Sequence, residues 1–85
     1  MNHRRSSVEL IADILRLREA GKTEIMYGAN MSYRQLQRYL GFLVKEEFLE
    51  QFVVPNPGVK YRVTPKGQRL LESIDAILDL LGTQP

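Results

Sequence analysis

One stretch in the middle of the chain, residues 30–45, combines a helical spacing of leucines with a polar face that carries no acid. At 100° per residue, the leucines at positions 36, 40 and 43 gather on one side of a helix. The other side collects cations, an amide and one glycine: Arg34, Gln37, Arg38, Gly41 and Lys45. No Asp or Glu stands between Glu24 and Glu46. Exposed helices usually mix both signs of charge, so this face indicates a polyanionic partner.

Capping signals divide the first half of the chain into three helices. Ser32 with Gln35 has the capping-box spacing and predicts that the acid-free helix begins there. The same spacing recurs after Ser6, which predicts a first helix over about residues 7–20 that ends before a glycine at position 21. A threonine at position 23 predicts a short second helix over about residues 24–29. The second and third helices, joined by a short turn, follow the helix-turn-helix pattern.

The second half of the chain predicts a hairpin and one more helix. Residues 48–54 and 59–63 are rich in β-branched and aromatic side chains, and residues 55–58 form a Pro/Gly turn between them. Thr64 followed by Pro65 predicts a helix that runs to about residue 81. The expected fold is therefore mainly α with a small β-hairpin: a winged helix-turn-helix of three helices, a wing and a C-terminal helix. We expect residues 1–5 to be a flexible basic arm, 6–64 the winged domain, and 65–85 the C-terminal helix.

The acid-free helix is the main candidate site, because a helix of this kind fits the major groove of double-stranded DNA. Arg34 and Arg38 can each make a bidentate contact with a guanine edge or a phosphate, and Gln37 can pair with adenine. The remaining candidate DNA contacts lie at the helix ends, on the hairpin and in the arm: Ser32, Tyr33, Lys45, Lys60, Arg62, Arg4 and Arg5. The alternatives are a solvated basic face, a strand edge protected by charge, and an ordinary frayed terminus.

The last helix carries an apolar stripe opposite acidic residues. Its members are Leu70, Ile74, Ile77, Leu78 and Leu81. The steps of four and three residues are typical of a coiled-coil seam, so we expect these side chains to form a homodimer interface. The alternative is that the stripe serves only to cover the core of its own chain.

The composition argues against several other classes of protein. The sequence has no cysteine and a single histidine, His3, so neither a disulfide nor a metal site is expected. It shows no nucleophile–base pair and no Gly-rich phosphate loop, so we expect no enzyme activity, cofactor or small-molecule ligand. No apolar run approaches the ~20 residues of a membrane span. A cytoplasmic, nucleoid-associated protein is expected.

Two segments resemble a known family. Ile25-Met-Tyr-Gly-Ala-Asn-Met-Ser-Tyr33 and Tyr61-Arg-Val-Thr-Pro-Lys-Gly67 are similar to segments of small archaeal winged-helix DNA-binding proteins, in particular the ten-kilodalton dimers. The resemblance implies a homodimeric double-stranded DNA-binding protein, either a transcriptional regulator or a chromatin-type protein. In that group a long C-terminal helix forms the dimer, and the final helix here is shorter. A winged-helix adaptor that binds protein and not DNA is the alternative.

Overall fold

The computed structural model describes residues 6–56 and 58–82. In this part of the chain, four helices pack with a small antiparallel sheet of three strands. The elements in chain order are α1 (Ser7–Arg16), β1 (Glu19–Gly21), α2 (Lys22–Gly28), α3 (Tyr33–Lys45), β2 (Leu49–Val54), β3 (Gly58–Val63) and α4 (Pro65–Leu80). The strands lie in the order β1-β3-β2. The predicted fold class is confirmed, and the sheet has one strand more than the predicted hairpin.

Three of the predicted helix starts form the expected caps. Ser6 Oγ accepts from the N–H of Glu9, and Ser32 Oγ accepts from the N–H of Gln35 at 3.1 Å. In both cases the N3 side chain accepts in return from the backbone N–H of the cap residue. Thr64 Oγ1 accepts from the N–H at position 67, with Pro65 in the first turn of α4. Each cap satisfies a backbone group that the first helical turn leaves without a partner.

The prediction of a first helix as far as residue 20 is wrong. Arg18 has a left-handed backbone with φ of 67°, which ends the helical region, and residues 19–21 form β1. Glu19 pairs with Arg62 and Ala20 with Tyr61. As a strand, residues 19–21 bury the side chain of Ala20 and form hydrogen bonds with β3. These contacts favour the strand over an extension of the helix through residues 19 and 20. The sequence around β1 does not indicate a strand, because its pairing partner β3 lies about forty residues later in the chain.

The second helix also begins earlier than predicted. Gly21 and not the threonine at position 23 is its N-cap residue, and α2 starts at Lys22. The N–H of Gly21 donates to Glu24 Oε1 at 2.8 Å, so the end of β1 leads directly into α2. This arrangement fixes Lys22 beside the sheet.

The hydrophobic core lies between α1, α2 and α3 and is closed by the sheet and α4. Its fully buried large side chains are Leu15, Ile25, Leu36 and Leu43. Tyr61 of β3 and Leu71 of α4 are also buried in this cluster. Because α3 contributes its leucine face to the core, its opposite face is directed to solvent.

A close approach of the backbone anchors α4 beneath the turn after α3. A Cβ atom at Gly67 would lie 2.1 Å from the carbonyl oxygen of Phe48, so only glycine fits there. The hydroxyl of Thr64 donates to the carbonyl of Glu47 at 2.6 Å, and Lys66 Nζ donates to the carbonyl of Glu46 at 2.8 Å. These bonds fix the start of α4 relative to α3 and the hairpin.

Candidate nucleic-acid interface

The exposed side of α3 is the strongest candidate interface. Every DNA contact predicted on this helix is exposed: Ser32, Tyr33, Arg34, Gln37, Arg38 and Lys45. We call this surface the α3 face. Among the described residues, Arg34, Arg38 and Lys45 form no ion pair or side-chain hydrogen bond, which leaves their charges available to an external anion. An added Cβ at Gly41 would meet no atom within 4 Å, so the helix backbone is open to a close approach here.

A hydrogen bond to α1 supports the orientation of α3. The hydroxyl of Tyr39 donates to Ser7 Oγ at 2.9 Å, at the start of α1. Ser7 and Arg38 line the same shallow groove, together with Ile11 and Phe42. The beginning of α1 therefore lies beside the α3 face. The predicted contacts Arg4 and Arg5 lie outside the described residues.

The two basic residues of the hairpin do not share a surface with α3. Tyr61 is buried towards α3, and Lys60 and Arg62 alternate with it, so their side chains lie on the opposite side of the sheet. We call that side the outer sheet face; it carries Glu19, Glu50, Phe52, Lys60 and Arg62. The roles of Lys60 and Arg62 as DNA contacts stay predictions, and the structure places both residues on a different surface from the α3 face.

Arg62 is occupied by contacts within the sheet. Its Nε donates to Glu50 Oε2 at 2.8 Å, and a terminal nitrogen lies 3.6 Å from Glu19 Oε1. The guanidinium carbon stands 4.2 Å from the centre of the Phe52 ring, in the geometry of a cation–π contact. Arg62 thus joins all three strands. Lys60 is partly buried and has no ion-pair partner among the described residues.

The stripe on α4 is divided between the core and the solvent. Ile74 is only 6% exposed in the single chain, and Leu70 and Leu78 pack against the same core, so these three have little surface to offer a second copy. Their predicted place in a dimer interface stays a prediction. Ile77 and Leu81 are 53% and 74% exposed.

Leu80 was missed by the sequence reasoning. It is 85% exposed and lies three residues after Ile77, on the same side of the helix. The three-residue spacing from Ile77 to Leu80 was visible in the sequence. The predicted stripe did not include Leu80, because it followed the coiled-coil steps from Leu70 to Leu81. The exposed apolar end of α4 therefore consists of Ile77, Leu80 and Leu81.

A groove between α3 and the sheet contains two polar residues that the sequence did not single out. Its lining residues are Lys22, Gln37, Leu40, Gly41, Val44, Lys45, Gln51 and Tyr61. We call it the α3–sheet groove. Lys22 and Gln51 come from α2 and β2, far apart in the sequence, and only the pairing of β1 with β3 brings α2 to this position.

The described residues include no group of three or more His, Cys, Asp or Glu side chains that could hold a metal ion. In that same part of the chain, no helix has the length and apolar character needed to cross a bilayer.

Three helices, a hairpin beside the third and a solvent-directed face on that third helix define a winged-helix protein. The chain belongs to the winged helix-turn-helix family, whose model matches residues 4–82. An uncharacterised protein of Methanocaldococcus jannaschii is 36% identical over 81 residues, which cover 92% of this chain and 36% of that protein. The chain thus spans about a third of the length of this relative.

Solved structures agree with the family. Sso10a-2, a DNA-binding protein from Sulfolobus solfataricus, has a TM-score of 0.83 and 31% identity, with 93% of this chain and 84% of that one covered. A winged-helix DNA-binding protein from STIV has a TM-score of 0.79 over 98% of both chains, and its 15% identity shows the fold alone. The resemblance to archaeal winged-helix DNA-binding proteins is confirmed.

Proposed function

We propose that this protein binds double-stranded DNA by inserting α3 into the major groove. The observation that carries the proposal is the α3 face, on which Arg34, Arg38 and Lys45 are exposed and form no ion pair among the described residues. A cation that has no partner within its own chain loses little when it meets a phosphate or a guanine edge. The 31% identity with Sso10a-2, itself a DNA-binding protein, supports the same conclusion.

Five residues of the α3 face have a definite role in this proposal. Arg34 and Arg38 contact guanine edges or phosphates, and Gln37 contacts adenine. Ser32 and Tyr33, at the start of the helix, donate to phosphate. Ser32 Oγ accepts from Gln35, which leaves its own hydroxyl proton for that purpose. Lys60 stays a prediction as a backbone contact.

The salt dependence of binding tests the proposal. Affinity for a random duplex should fall steeply between about 50 and 200 mM salt, with a slope of roughly −0.9 for each neutralised phosphate in a plot of log K against log salt. Fluorescence anisotropy with a labelled duplex measures this slope. Absent or salt-independent binding would contradict the proposal and favour a winged-helix adaptor that binds another protein.

Selection of bound sites from a random duplex pool separates the two kinds of DNA-binding role. A shared consensus would identify a transcriptional regulator, since base contacts by α3 discriminate between sequences. Binding without a consensus would identify a chromatin-type protein. The α3 face offers few base-reading side chains, so one copy of the domain supplies limited specificity.

We further propose that two copies associate through the exposed apolar end of α4. Ile77, Leu80 and Leu81 lie on neighbouring positions of one helix end and are exposed in the single chain. Such a patch is best buried against an identical patch related by a two-fold axis. A dimer would present two α3 faces to the same duplex and so raise both affinity and specificity.

Light scattering tests the dimer. The wild-type protein should have twice the mass of one chain, and the Ile77→Glu, Leu81→Glu variant should have the mass of one. Val53→Glu is the matched control, because Val53 is an equally exposed apolar residue at the far end of the hairpin. A wild-type mass of one chain, or an equal effect of both variants, would contradict the proposal.

A further inference from the structure

The α3–sheet groove has the charge of an anion-binding surface. Its eight lining residues include Lys22 and Lys45 and the amides of Gln37 and Gln51, and none of them is an acid. Neither lysine forms an ion pair among the described residues. Two uncompensated cations on one concave surface attract an anion.

The acids within two residues of a lining residue are Glu24, Glu46, Glu47 and Glu50, and none of them lines the groove. Glu24, two residues after Lys22, accepts from the N–H of Gly21 at 2.8 Å. Glu50, next to Gln51, points to the other side of the sheet and accepts from Arg62. None of these four acids forms an ion pair with Lys22 or Lys45 among the described residues, so the groove keeps two unpaired cations.

The position and shape of the groove favour a chain of phosphates. The groove runs beside α3, shares Gln37 and Lys45 with the α3 face and also includes Gly41 of the same helix. When a helix enters the major groove, which is about 12 Å wide, a sugar-phosphate strand passes along each of its sides. The α3–sheet groove lies along one such side, and the open space at Gly41 allows the backbone of that strand to come close.

We propose that the α3–sheet groove seats one sugar-phosphate strand of the bound duplex, with Lys22 and Gln51 as phosphate contacts on the side facing Lys45. The inference rests on the proposed binding of α3 in the major groove and adds two residues from outside α3. Lys22 supplies a charge, and the Gln51 side-chain amide supplies a hydrogen bond to a phosphate oxygen. Contacts of this kind position the duplex without selecting its sequence.

Lys22→Ala tests the inference in the full chain. We expect the salt slope to become less steep by about 0.9 per bound protomer, and the affinity near 0.1 M salt to fall roughly five- to tenfold for every duplex sequence. Lys22→Arg should keep the wild-type slope because it keeps the charge. Gln51→Ala should weaken binding less and leave the slope unchanged. Thermal unfolding of each variant confirms that the fold is intact.

Arg69→Ala is the matched control, since it removes one exposed cation from α4, outside the groove. A wild-type salt slope in Lys22→Ala, or an equal change in Arg69→Ala, would overturn the role of the groove. If Arg34→Ala with Arg38→Ala still weakened binding in that case, the proposed function would stand without the groove. A wild-type protein that fails to bind duplex would overturn both.

Discussion

The α3 face and the outer sheet face both carry arginine, yet the two surfaces differ in what surrounds the guanidinium groups. On the α3 face, Arg34 and Arg38 are exposed and have no ion-pair partner in residues 6–56 and 58–82. The helix presents no acid to them, because positions 25–45 contain none. Their charges remain available to a ligand.

On the outer sheet face, Arg62 is also exposed but lies between Glu19 and Glu50 and over the ring of Phe52. These partners come from the two strands on either side of β3. Arg62 has ion-pair partners and Arg34 and Arg38 have none among the described residues. The number of basic residues in a segment therefore does not measure its capacity to bind nucleic acid. The neighbours provided by the tertiary fold decide which cations are free.

The largest effect should come from removing both arginines of the α3 face. Arg34→Ala with Arg38→Ala should cost about 1–3 kcal/mol of duplex binding for each arginine, which lowers affinity roughly 30-fold or more. Anisotropy titrations at fixed salt measure the loss. Arg62→Ala in the same assay is the control, and a comparable loss there would erase the distinction between the two faces.

A smaller effect, on stability and not on binding, is expected for Arg62→Ala. Exposed ion pairs contribute about 0.2–1 kcal/mol and an exposed cation–π contact about 0.5–1 kcal/mol, so the free energy of unfolding should fall by about 1 kcal/mol. Urea unfolding followed by circular dichroism measures it. Arg34→Ala serves as the comparison and should leave stability within about 0.5 kcal/mol of wild type.

The Gly41→Ala variant of α3 should raise the stability of the protein and lower its affinity for duplex DNA. Alanine favours an exposed helix interior over glycine by up to about 1 kcal/mol, and the new methyl group meets open space in the free protein. The variant should therefore unfold at a higher urea concentration while its duplex affinity falls, because the methyl occupies space that the DNA backbone would use. Unchanged affinity would mean that the DNA does not approach α3 closely here.

The smallest effect is expected from the double variant Glu19→Gln, Glu50→Gln, which removes both ion pairs of Arg62. Stability should fall by no more than about 1 kcal/mol. Duplex affinity near 0.15 M salt should stay within roughly twofold of wild type, because the Debye length is about 8 Å and Arg62 faces away from α3. Glu72→Gln with Asp79→Asn makes the same change in net charge on α4 and is the control. A rise in affinity confined to the sheet variant would show that the outer sheet face meets the duplex.

The parts of the site that the sequence predicted depend on residues close together in the chain. The caps at Ser32 and Thr64 join groups three residues apart, and the exposed polar side of α3 follows from helical periodicity. Both could be found without knowing what the rest of the chain does. The exposure of Arg34 and Arg38 was predictable for the same reason.

The parts that were missed depend on residues far apart. Strand β1 exists because it pairs with β3, and that pairing gives Arg62 its contact with Glu19 and brings Lys22 to the α3–sheet groove. The split of the α4 stripe, with Ile74 buried and Leu80 exposed, depends on where the core ends along that helix.

The sequence by itself determined the order of helices and hairpin, three of the four helix starts and the acid-free face of α3. It could do so because hydrophobic periodicity and capping bonds act over a few residues. Only the tertiary structure decided which cations are free, which side of the sheet each hairpin residue occupies, and which apolar residues of α4 stay exposed. Those properties follow from strand register and core packing, which join segments that the chain keeps tens of residues apart.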